Sequence, residues 1–312
     1  MKNQIFIIHN GKANYPEIAA YREYFASEYE VLDGDLDAYQ AIENKSNCIA
    51  WCIMGFFPNK IEAKQVIHDY RSLSVGRLPA LKDQVKRIFN AKPNLRIFQN
   101  TIMEDAMAFN DGIGSCILPM GVPEYIFELA KEKSRKYLAK YCYIGEISFE
   151  REINLVLEAF IDNDIKGDFV LIGEPESRLY EKFSKYENIR FVGRKPQSET
   201  LRMVKQCEFA VCSLPYHRPY SFQAATKLLE YLALGMKVIC NPAPSNKMVC
   251  DNLNAGEVFM SSKYIFDNTV FEDEIATKMS CNSSGFSMLG WREVIYSSNI
   301  SSHLHLSSSA SK

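Results

Sequence analysis

The sequence lacks several features that would mark other classes of protein. No apolar run approaches the roughly 18 residues that a membrane-spanning helix requires. The first residues lack the length and the cleavage pattern of a signal peptide, so we expect the protein to stay where it is made. The net charge of −2 shows no excess of basic residues, and nucleic acid is therefore not an expected partner.

Cysteine is frequent but forms no CxxC pair. Nine cysteines occur, and several lie within apolar, strand-like runs. This pattern indicates reduced, buried thiols rather than a disulfide framework or a zinc site. Residues 33–37 hold three aspartates, but Ala38 and Asn44 stand where a calcium loop needs glycine and glutamate. We therefore expect no bound metal.

The order of apolar runs predicts an α/β protein with two domains. A chain of 312 residues is long for one hydrophobic core, and its strand-like runs alternate with helical patterns, which is typical of parallel sheets covered on both faces. We predict an N-terminal Rossmann-like domain at residues 1–135 and a second at residues 136–295. The serine-rich residues 296–312 are predicted to be a disordered tail.

Residues 221–242, SFQAATKLLEYLALGMKVICNP, combine a helix, a glycine stop and a buried strand. Thr226, Lys227 and Glu230 are related by spacings of three and four, so a hydroxyl, an ammonium and a carboxylate project from one side of the helix. In an open α/β sheet, ligands bind beyond the carboxyl ends of the strands. The loops expected to line that rim contain Gly145, Gly173, Gly193, Pro215 and Asn241.

Five segments follow one another in a familiar order: YIGEISFEREINLVLEAF, FVLIGEP, IRFVGRKP, EFAVCSLPY and TKLLEYLALGMKVICNP. Together they resemble the donor-binding domain of the GT-B-fold retaining glycosyltransferases, the large bacterial group 1 (family 4-like) family. The resemblance covers roughly residues 141–260 and implies two Rossmann-like domains facing each other across a cleft. It implies a nucleoside-diphosphate-sugar as substrate, with no cofactor and no metal.

The resemblance also implies roles for individual residues. Lys227 matches the family's diphosphate-binding lysine, Glu230 the glutamate that accepts hydrogen bonds from the ribose, and Gly145 the glycine that lets the backbone approach the phosphates. Together with His68, Lys227 and Glu230 are the predicted catalytic residues, although a lone histidine is more often structural. The remaining predicted donor-binding residues are Gly11, Arg151, Gly193, Arg194, Pro215 and Thr226.

Two positions depart from the family pattern. Phe222 stands eight positions before Glu230, where many relatives have a glutamate that faces the transferred sugar. Glu146 stands where the family commonly has arginine. A carboxylate there would repel a diphosphate, so it must point away, pair with Arg151 or mark a divergent subfamily.

The predicted function is transfer of a sugar to a hydroxyl of a saccharide, with retention of configuration. The implied pathway is surface polysaccharide biosynthesis, either lipopolysaccharide O-antigen or capsule, with a lipid-linked acceptor and a location in the cytoplasm or at the inner face of its membrane. Two alternatives stay open: a GT-B-fold sugar-nucleotide epimerase and a non-catalytic GT-B-like scaffold protein.

A basic amphipathic stretch lies within the first predicted domain. Its cations are Lys82, Lys86, Arg87, Lys92 and Arg96, with Leu81, Val85, Ile88 and Phe89 between them. The favoured interpretation is a helix that turns its apolar side to the core and its basic side to solvent. The alternative is docking on the anionic lipid of the inner membrane.

Overall fold

A computed structural model describes residues 2–11, 15–53, 55–133, 136–253, 255, 257–266 and 286–305. The chain forms two compact units. The N-terminal unit comprises Met1–Gly121, Phe222–Ala224 and Gly290–Lys312, and the C-terminal unit comprises Val122–Ser221 and Ala225–Leu289.

The N-terminal unit is built on a six-stranded parallel sheet in the order β2-β1-β3-β4-β5-β6. Its strands are β1 (Asn3–Ile8), β2 (Tyr29–Gly34), β3 (Cys48–Ile53), β4 (Gln65–Tyr70), β5 (Leu95–Phe98) and β6 (Ser115–Ile117). Its first helices are α1 (Pro16–Phe25), α2 (Leu36–Gln40), α3 (Pro79–Phe89) and α4 (Thr101–Met107). All six residues of β3 are buried, as expected of a central parallel strand covered on both faces.

The C-terminal unit contains a second six-stranded parallel sheet in the order β12-β11-β10-β7-β8-β9. Its strands are β7 (Ala139–Ile144), β8 (Phe169–Ile172), β9 (Ile189–Phe191), β10 (Cys207–Cys212), β11 (Lys237–Cys240) and β12 (Val258–Met260). Its helices are α5 (Tyr125–Lys131), α6 (Ile153–Asp162), α7 (Ser177–Phe183), α8 (Gln197–Val204), α9 (Thr226–Ala233) and α10 (Pro244–Leu253). The predicted α/β class, with two Rossmann-like units, is confirmed.

The core of the C-terminal unit is aromatic. Tyr141 of β7 packs edge-on against Phe160 of α6 and stacks on Phe209 of β10. Phe169 of β8 and Phe266 join the same cluster, with their ring centroids 5.6 Å apart. Each such ring removes a large apolar area from water, so this cluster fixes the sheet against α6.

The last two helices correct the predicted disordered tail. Trp291 opens α11 (Trp291–Ser297), and α12 (Ile300–His305) follows it. Ile300 and Leu304 are buried, so the prediction of disorder from residue 296 is wrong as far as residue 305. The prediction of disorder relied on the serine-rich composition and did not consider these two apolar side chains, which lie four residues apart on one face of the helix. Residues 306–312 lie outside the described residues.

The limits of the units differ from the predicted boundary at residue 135. The division falls after Gly121, and residues from Gly290 onward return to the N-terminal unit. Gly121 permits this return, because a Cβ atom there would lie 2.8 Å from the Trp291 ring. The helix α5 belongs to the C-terminal unit, where it packs on α8 and α9. Such contacts between distant residues are not visible in the order of elements along the chain.

The favoured interpretation of the basic stretch, a helix whose apolar side faces the core, is wrong for α3. Its buried residue is Asp83, whose carboxylate accepts a hydrogen bond from the Ser74 backbone N–H at 3.0 Å. Leu81, Ile88 and Phe89, expected to face the core, are instead exposed. Arg96 does not belong to the basic surface either, because its buried guanidinium forms a two-fold hydrogen-bonded pair with Asp111.

Candidate functional site

The strand order of the C-terminal unit indicates that a ligand site is to be expected beside β7. With the strands of this unit numbered along the chain from β7 as strand 1, their order in the sheet is 3-2-1-4-5-6. The crossover connections run in opposite directions on the two sides of the boundary between β7 and β10, which is the switch point of the sheet. In open α/β sheets, ligands bind at such a switch point, outside the carboxyl ends of the strands. The residue that follows β7 directly is Gly145, so this glycine lies at the switch point.

Gly145 carries no side chain, and its backbone packs closely against that of Gly173. Gly145 has a φ of +114°, a conformation that side-chain-bearing residues rarely adopt. Its N–H donates to the Ile172 carbonyl oxygen at 3.0 Å. Behind it, a Cβ atom on Gly173 would lie 1.9 Å from the Gly145 carbonyl oxygen. The two glycines together let the strand ends meet, and Gly145 remains exposed to solvent.

The ammonium group of Lys227 lies beside this bare backbone. Its Nζ donates to the Tyr143 hydroxyl at 2.8 Å and lies 3.9 Å from the centroid of the Tyr143 ring. The Tyr143 hydroxyl in turn donates to the Glu146 carbonyl oxygen at 3.0 Å. A Cβ atom on Gly145 would lie only 3.3 Å from Lys227 Nζ. The structure therefore brings Gly145 and Lys227, two of the predicted site residues, next to each other.

The start of α9 adds a second source of positive potential. Thr226 is its exposed first residue and Lys227 the second, so the backbone N–H groups of both lie in the helix's first turn, which carries partial positive charge. The buried Tyr231 anchors the helix to β7, because its hydroxyl accepts a hydrogen bond from the Ile144 N–H at 3.1 Å. A helix N-terminus beside a lysine and an exposed glycine is an arrangement suited to a phosphate group.

Glu230 lies almost one turn further along α9. The Gln197 side-chain amide donates to Glu230 Oε1 at 2.5 Å. Burial raises the pKa of the Glu230 carboxyl, while the hydrogen bond from Gln197 and the charge of Lys227 act against that rise. The carboxylate keeps a second oxygen that can accept hydrogen bonds from hydroxyl groups.

Glu146 and Arg151 form an ion pair, which was one of the three outcomes predicted for Glu146. Arg151 Nε lies 3.2 Å from Glu146 Oε2, and the guanidinium stacks 4.0 Å from the centroid of the Tyr220 ring. The Tyr220 hydroxyl donates to Glu150 Oε1 at 2.8 Å, and burial, followed by this hydrogen bond, raises the pKa of Tyr220 to about 12. Part of the positive charge of Arg151 is thus offset within the protein.

The other predicted residues of this unit follow neighbouring strands. Gly193 follows β9, and its carbonyl oxygen accepts a hydrogen bond from the Gly173 N–H at 3.0 Å. Arg194 is exposed in the same loop, which leads into Gln197 at the start of α8. Pro215 is buried after β10, where the Asn241 side chain binds both backbone groups of the preceding Leu214. The predicted rim therefore consists of consecutive strand ends of one sheet.

Gly11 and His68 belong to the N-terminal unit. Gly11 is exposed after β1, has a φ of +67° and donates its N–H to His9 Nδ1 at 3.1 Å. His68 lies within β4, is 1% exposed and packs against Phe57. Burial, and to a smaller extent the charge of Arg96, lowers the pKa of His68 to about 4. These surroundings favour the structural alternative for His68 over the predicted catalytic role.

Phe222 also has a packing role. Its side chain lies against a cluster in the N-terminal unit that contains Tyr70, Phe98 and Met103, and its carbonyl oxygen accepts from Asn100 Nδ2 at 3.0 Å. Phe222 thus makes an apolar contact at the position where the resemblance implied a carboxylate.

Two of the three aspartates of residues 33–37 have structural partners. Asp33 pairs with Arg22 and His9, and Asp35 caps α2 by accepting from the Ala38 N–H at 2.8 Å. Among the residues that the structure describes, no three His, Cys, Asp or Glu side chains are grouped so as to hold a metal ion.

Two residues of this site were not predicted from the sequence. Tyr143 precedes Gly145 by two positions, and alternate residues of a strand point the same way, which is the signal that could have identified it. Gln197 contacts Glu230 across 33 positions, and no local pattern indicates such a contact.

Comparison with known proteins identifies a related family for the C-terminal part of the chain. Residues 124–276 match the family model of the glycosyl transferases group 1. No curated protein sequence gives a significant match to the chain.

Several solved structures share the fold. Alr3699/HepE of Anabaena, solved in complex with UDP and glucose, has a TM-score of 0.65 at 10% identity, over 97% of this chain and 99% of that one. Sucrose-phosphate synthase of Thermosynechococcus elongatus has a TM-score of 0.69 at 11% identity, over 99% and 100%. A putative UDP-N-acetylglucosamine 2-epimerase of Listeria monocytogenes has a TM-score of 0.54 at 10% identity, over 98% of each chain. The family model thus identifies residues 124–276 as a group 1 glycosyl transferase domain, and the chain with its two parallel sheets shares the GT-B fold of these solved structures.

Proposed function

We propose that the donor is a nucleoside-diphosphate-sugar and that Lys227 and Gly145 bind its diphosphate. The observation that carries this proposal is the position of Lys227 Nζ, 3.3 Å from where a Gly145 Cβ would be, at the switch point of the sheet. The missing side chain leaves room for phosphate oxygens against the backbone. Lys227 supplies a full positive charge, and the first turn of α9 adds a partial one.

This arrangement suits the charge that develops during transfer. When the bond between the sugar C1 and the phosphate oxygen breaks, the leaving diphosphate gains negative charge, which preorganised cations and N–H groups stabilise. The Tyr143 hydroxyl accepts one hydrogen bond from the Lys227 ammonium, and the Tyr143 ring lies against the same group, so the ammonium is held in place. Two of the three N–H donors of Lys227 remain for phosphate. The ion pair between Arg151 and Glu146 leaves Lys227 as the principal cation in this proposal.

Glu230 is the proposed partner of the ribose. Its carboxylate lies almost one helical turn from Lys227, a distance suited to reach the sugar of a nucleotide whose phosphates lie at the helix start. Gln197 orients the carboxylate through Oε1. Uracil is the first base to test, because the Anabaena protein of the same fold was solved with UDP and with UDP-glucose.

For the acceptor, we propose a hydroxyl of a lipid-linked saccharide in surface polysaccharide assembly, O-antigen or capsule, with retention of configuration. The acceptor oxygen bonds to C1 as the bond to phosphate breaks, and its proton passes to the departing phosphate. No side-chain base is required by this route, which is consistent with the burial of His68. Support for the pathway rests on the resemblance of the five segments to the bacterial family.

Donor consumption and product mass test this function. The protein is incubated with UDP-, GDP-, dTDP- and CMP-sugars and a lipid-linked oligosaccharide extract, and the products are identified by mass spectrometry. We expect one donor to yield an extended acceptor, and Lys227→Met to abolish the product. Lys182→Met is the matched control, since Lys182 is an exposed lysine of α7 in the same unit, paired with Glu158. Equal turnover by Lys227→Met would refute the site.

A sugar-nucleotide epimerase is the second candidate, favoured by the likeness to the Listeria protein over nearly the whole chain. An epimerase would convert the nucleotide sugar without any acceptor. Release of a modified free sugar or nucleotide sugar in the absence of acceptor would support this candidate, and strict dependence on acceptor would exclude it.

A further inference from the structure

The outward side of α3 is apolar. Leu78, which precedes the helix, is 69% exposed, and Leu81, Ile88 and Phe89 are 52%, 66% and 60% exposed. With Val85, these residues recur at helical spacing and form one stripe, which we call the α3 face. Burying this stripe would remove a substantial apolar area from water.

The buried carboxylate of Asp83 fixes which side of α3 faces outward. At about 100° per residue, Asp83 lies on the opposite side of the helix from Leu81 and Ile88. Both of its carboxylate oxygens are within hydrogen-bonding distance of the Ser74 N–H, at 3.0 and 3.4 Å. Breaking this contact would leave a buried charge with fewer partners, so the helix is held with its apolar stripe toward solvent.

The exposed charges of α3 itself are all positive. Asp83 is the only acidic residue of α3 and points inward, whereas Lys82 and Arg87 are exposed and Lys86 is half-buried. Lys82 donates to the Val75 carbonyl oxygen at 3.0 Å, which places its ammonium at the edge of the stripe. A surface with apolar residues in the middle and cations at its edges is complementary to lipid tails beneath anionic headgroups.

A groove adjoins the α3 face within the N-terminal unit. It has a volume of about 620 Å³ and lies between residues 72–78 and α3. Phe56, Leu73 and Val85 line it, with Arg77 and Lys82 among its polar residues. An apolar groove of this size, open beside the stripe, can accept an acyl chain from the same lipid layer.

We propose that the α3 face docks this protein on a bilayer that contains anionic phospholipid, with α3 lying in the plane of the interface. No helix among the described residues is long and apolar enough to cross a membrane, so the proposed binding is peripheral. A second copy of the chain fits the face less well, because a symmetric contact would bring the two sets of Lys82, Lys86 and Arg87 together. The proposal does not depend on the proposed reaction.

Sedimentation with vesicles tests the proposal on the full chain without nucleotide or acceptor. One set of vesicles consists of neutral phosphatidylcholine, and the other contains phosphatidylglycerol as well. We expect binding to the anionic vesicles that weakens at high salt. The double variant Lys82→Gln/Lys86→Gln should bind them roughly thirtyfold more weakly at low salt. The double variant Ile88→Glu/Phe89→Glu should lose binding altogether.

Met288→Glu is the matched control, because Met288 is an exposed apolar residue outside α3, and it should bind like the parent chain. Circular dichroism should show that every variant is folded, as all the changed side chains except half-buried Lys86 are exposed. Equal binding to neutral and anionic vesicles, or full binding by Ile88→Glu/Phe89→Glu, would overturn the proposal. Failure of the parent chain to bind, together with a dimer that Ile88→Glu/Phe89→Glu disrupts, would identify the α3 face as a contact between copies instead.

Discussion

Replacing Gly173 by alanine should disturb both the stability of the C-terminal unit and its nucleotide binding. The added Cβ atom would lie 1.9 Å from the Gly145 carbonyl oxygen and 3.0 Å from the carbonyl carbon. Both are backbone atoms at the carboxyl ends of two hydrogen-bonded strands, so no side chain can turn away to relieve the overlap. Overpacking of this kind costs about 3 kcal/mol or more.

Thermal unfolding of Gly173→Ala measures this cost. For a unit of this size, about 3 kcal/mol corresponds to a fall of roughly 6–12 °C in the Tm. Because the overlap displaces the Gly145 loop, nucleotide affinity should fall as well. Gly114→Ala is the matched control, since a Cβ there has no neighbour within 4 Å and Gly114 has an ordinary φ. A Tm of Gly173→Ala equal to that of the parent chain would refute the close approach of the two glycines.

Three further predictions concern single side chains. His68→Gln should retain full transfer activity. The pKa of His68 is about 4 in the folded chain and near 6.5 in the unfolded chain, so the native chain loses stability as the pH falls from 6.5 to 4. The difference in unfolding free energy between the native chain and His68→Gln should therefore shrink over that pH range. Loss of activity with normal stability would restore a catalytic role for His68. Asp111→Asn should lower the urea midpoint of unfolding at neutral pH, because the hydrogen bonds from Arg96 hold the Asp111 pKa at about 2. The difference in urea midpoint between the native chain and the variant should diminish as the pH falls toward 2, and a constant difference would contradict this. Tyr143→Phe should weaken nucleotide binding in a calorimetric titration by about fivefold, from about 1 kcal/mol for one hydrogen bond, and unchanged binding would show that the ring alone positions Lys227.

The sequence predicted the parts of the fold that depend on local pattern. The run at Cys48–Ile53 is apolar at nearly every position, and it forms a strand buried on both faces. The glycines at 145, 173 and 193 follow strand-like runs, and the structure places all three at strand ends. These strand ends can be predicted because each glycine comes after its own strand-like run in the sequence, and no contact with a distant part of the chain is needed to place it there.

Contacts between distant parts of the chain were beyond sequence prediction. The orientation of α3 depends on the hydrogen bond between Asp83 and Ser74, since periodicity predicts that a helix has an apolar side but not what that side faces. The return of α11 to the N-terminal unit depends on the fit of Trp291 against Gly121. The positions of Tyr143 and Gln197 in the site likewise depend on how α9 and α8 pack against the sheet.

Calorimetric titration of UDP tests the central claim, that Lys227 and Glu230 of α9 hold the diphosphate and the ribose of one nucleotide. The parent chain, Lys227→Met and Glu230→Gln are each titrated with UDP and with an analogue of UDP whose ribose lacks both hydroxyls, and the series is repeated with GDP, dTDP and CDP if UDP gives no heat. Losing one charge-assisted hydrogen bond costs about 1.5–3 kcal/mol, so Lys227→Met should weaken binding roughly tenfold to a hundredfold.

The two residues should differ in their response to the analogue. In the parent chain and in Lys227→Met, removal of the ribose hydroxyls should weaken binding by a similar factor, whereas in Glu230→Gln it should have much less effect. That pattern would locate the phosphates at Lys227 and the ribose at Glu230. Binding of any nucleoside diphosphate with equal affinity by the parent chain and Lys227→Met would contradict the account.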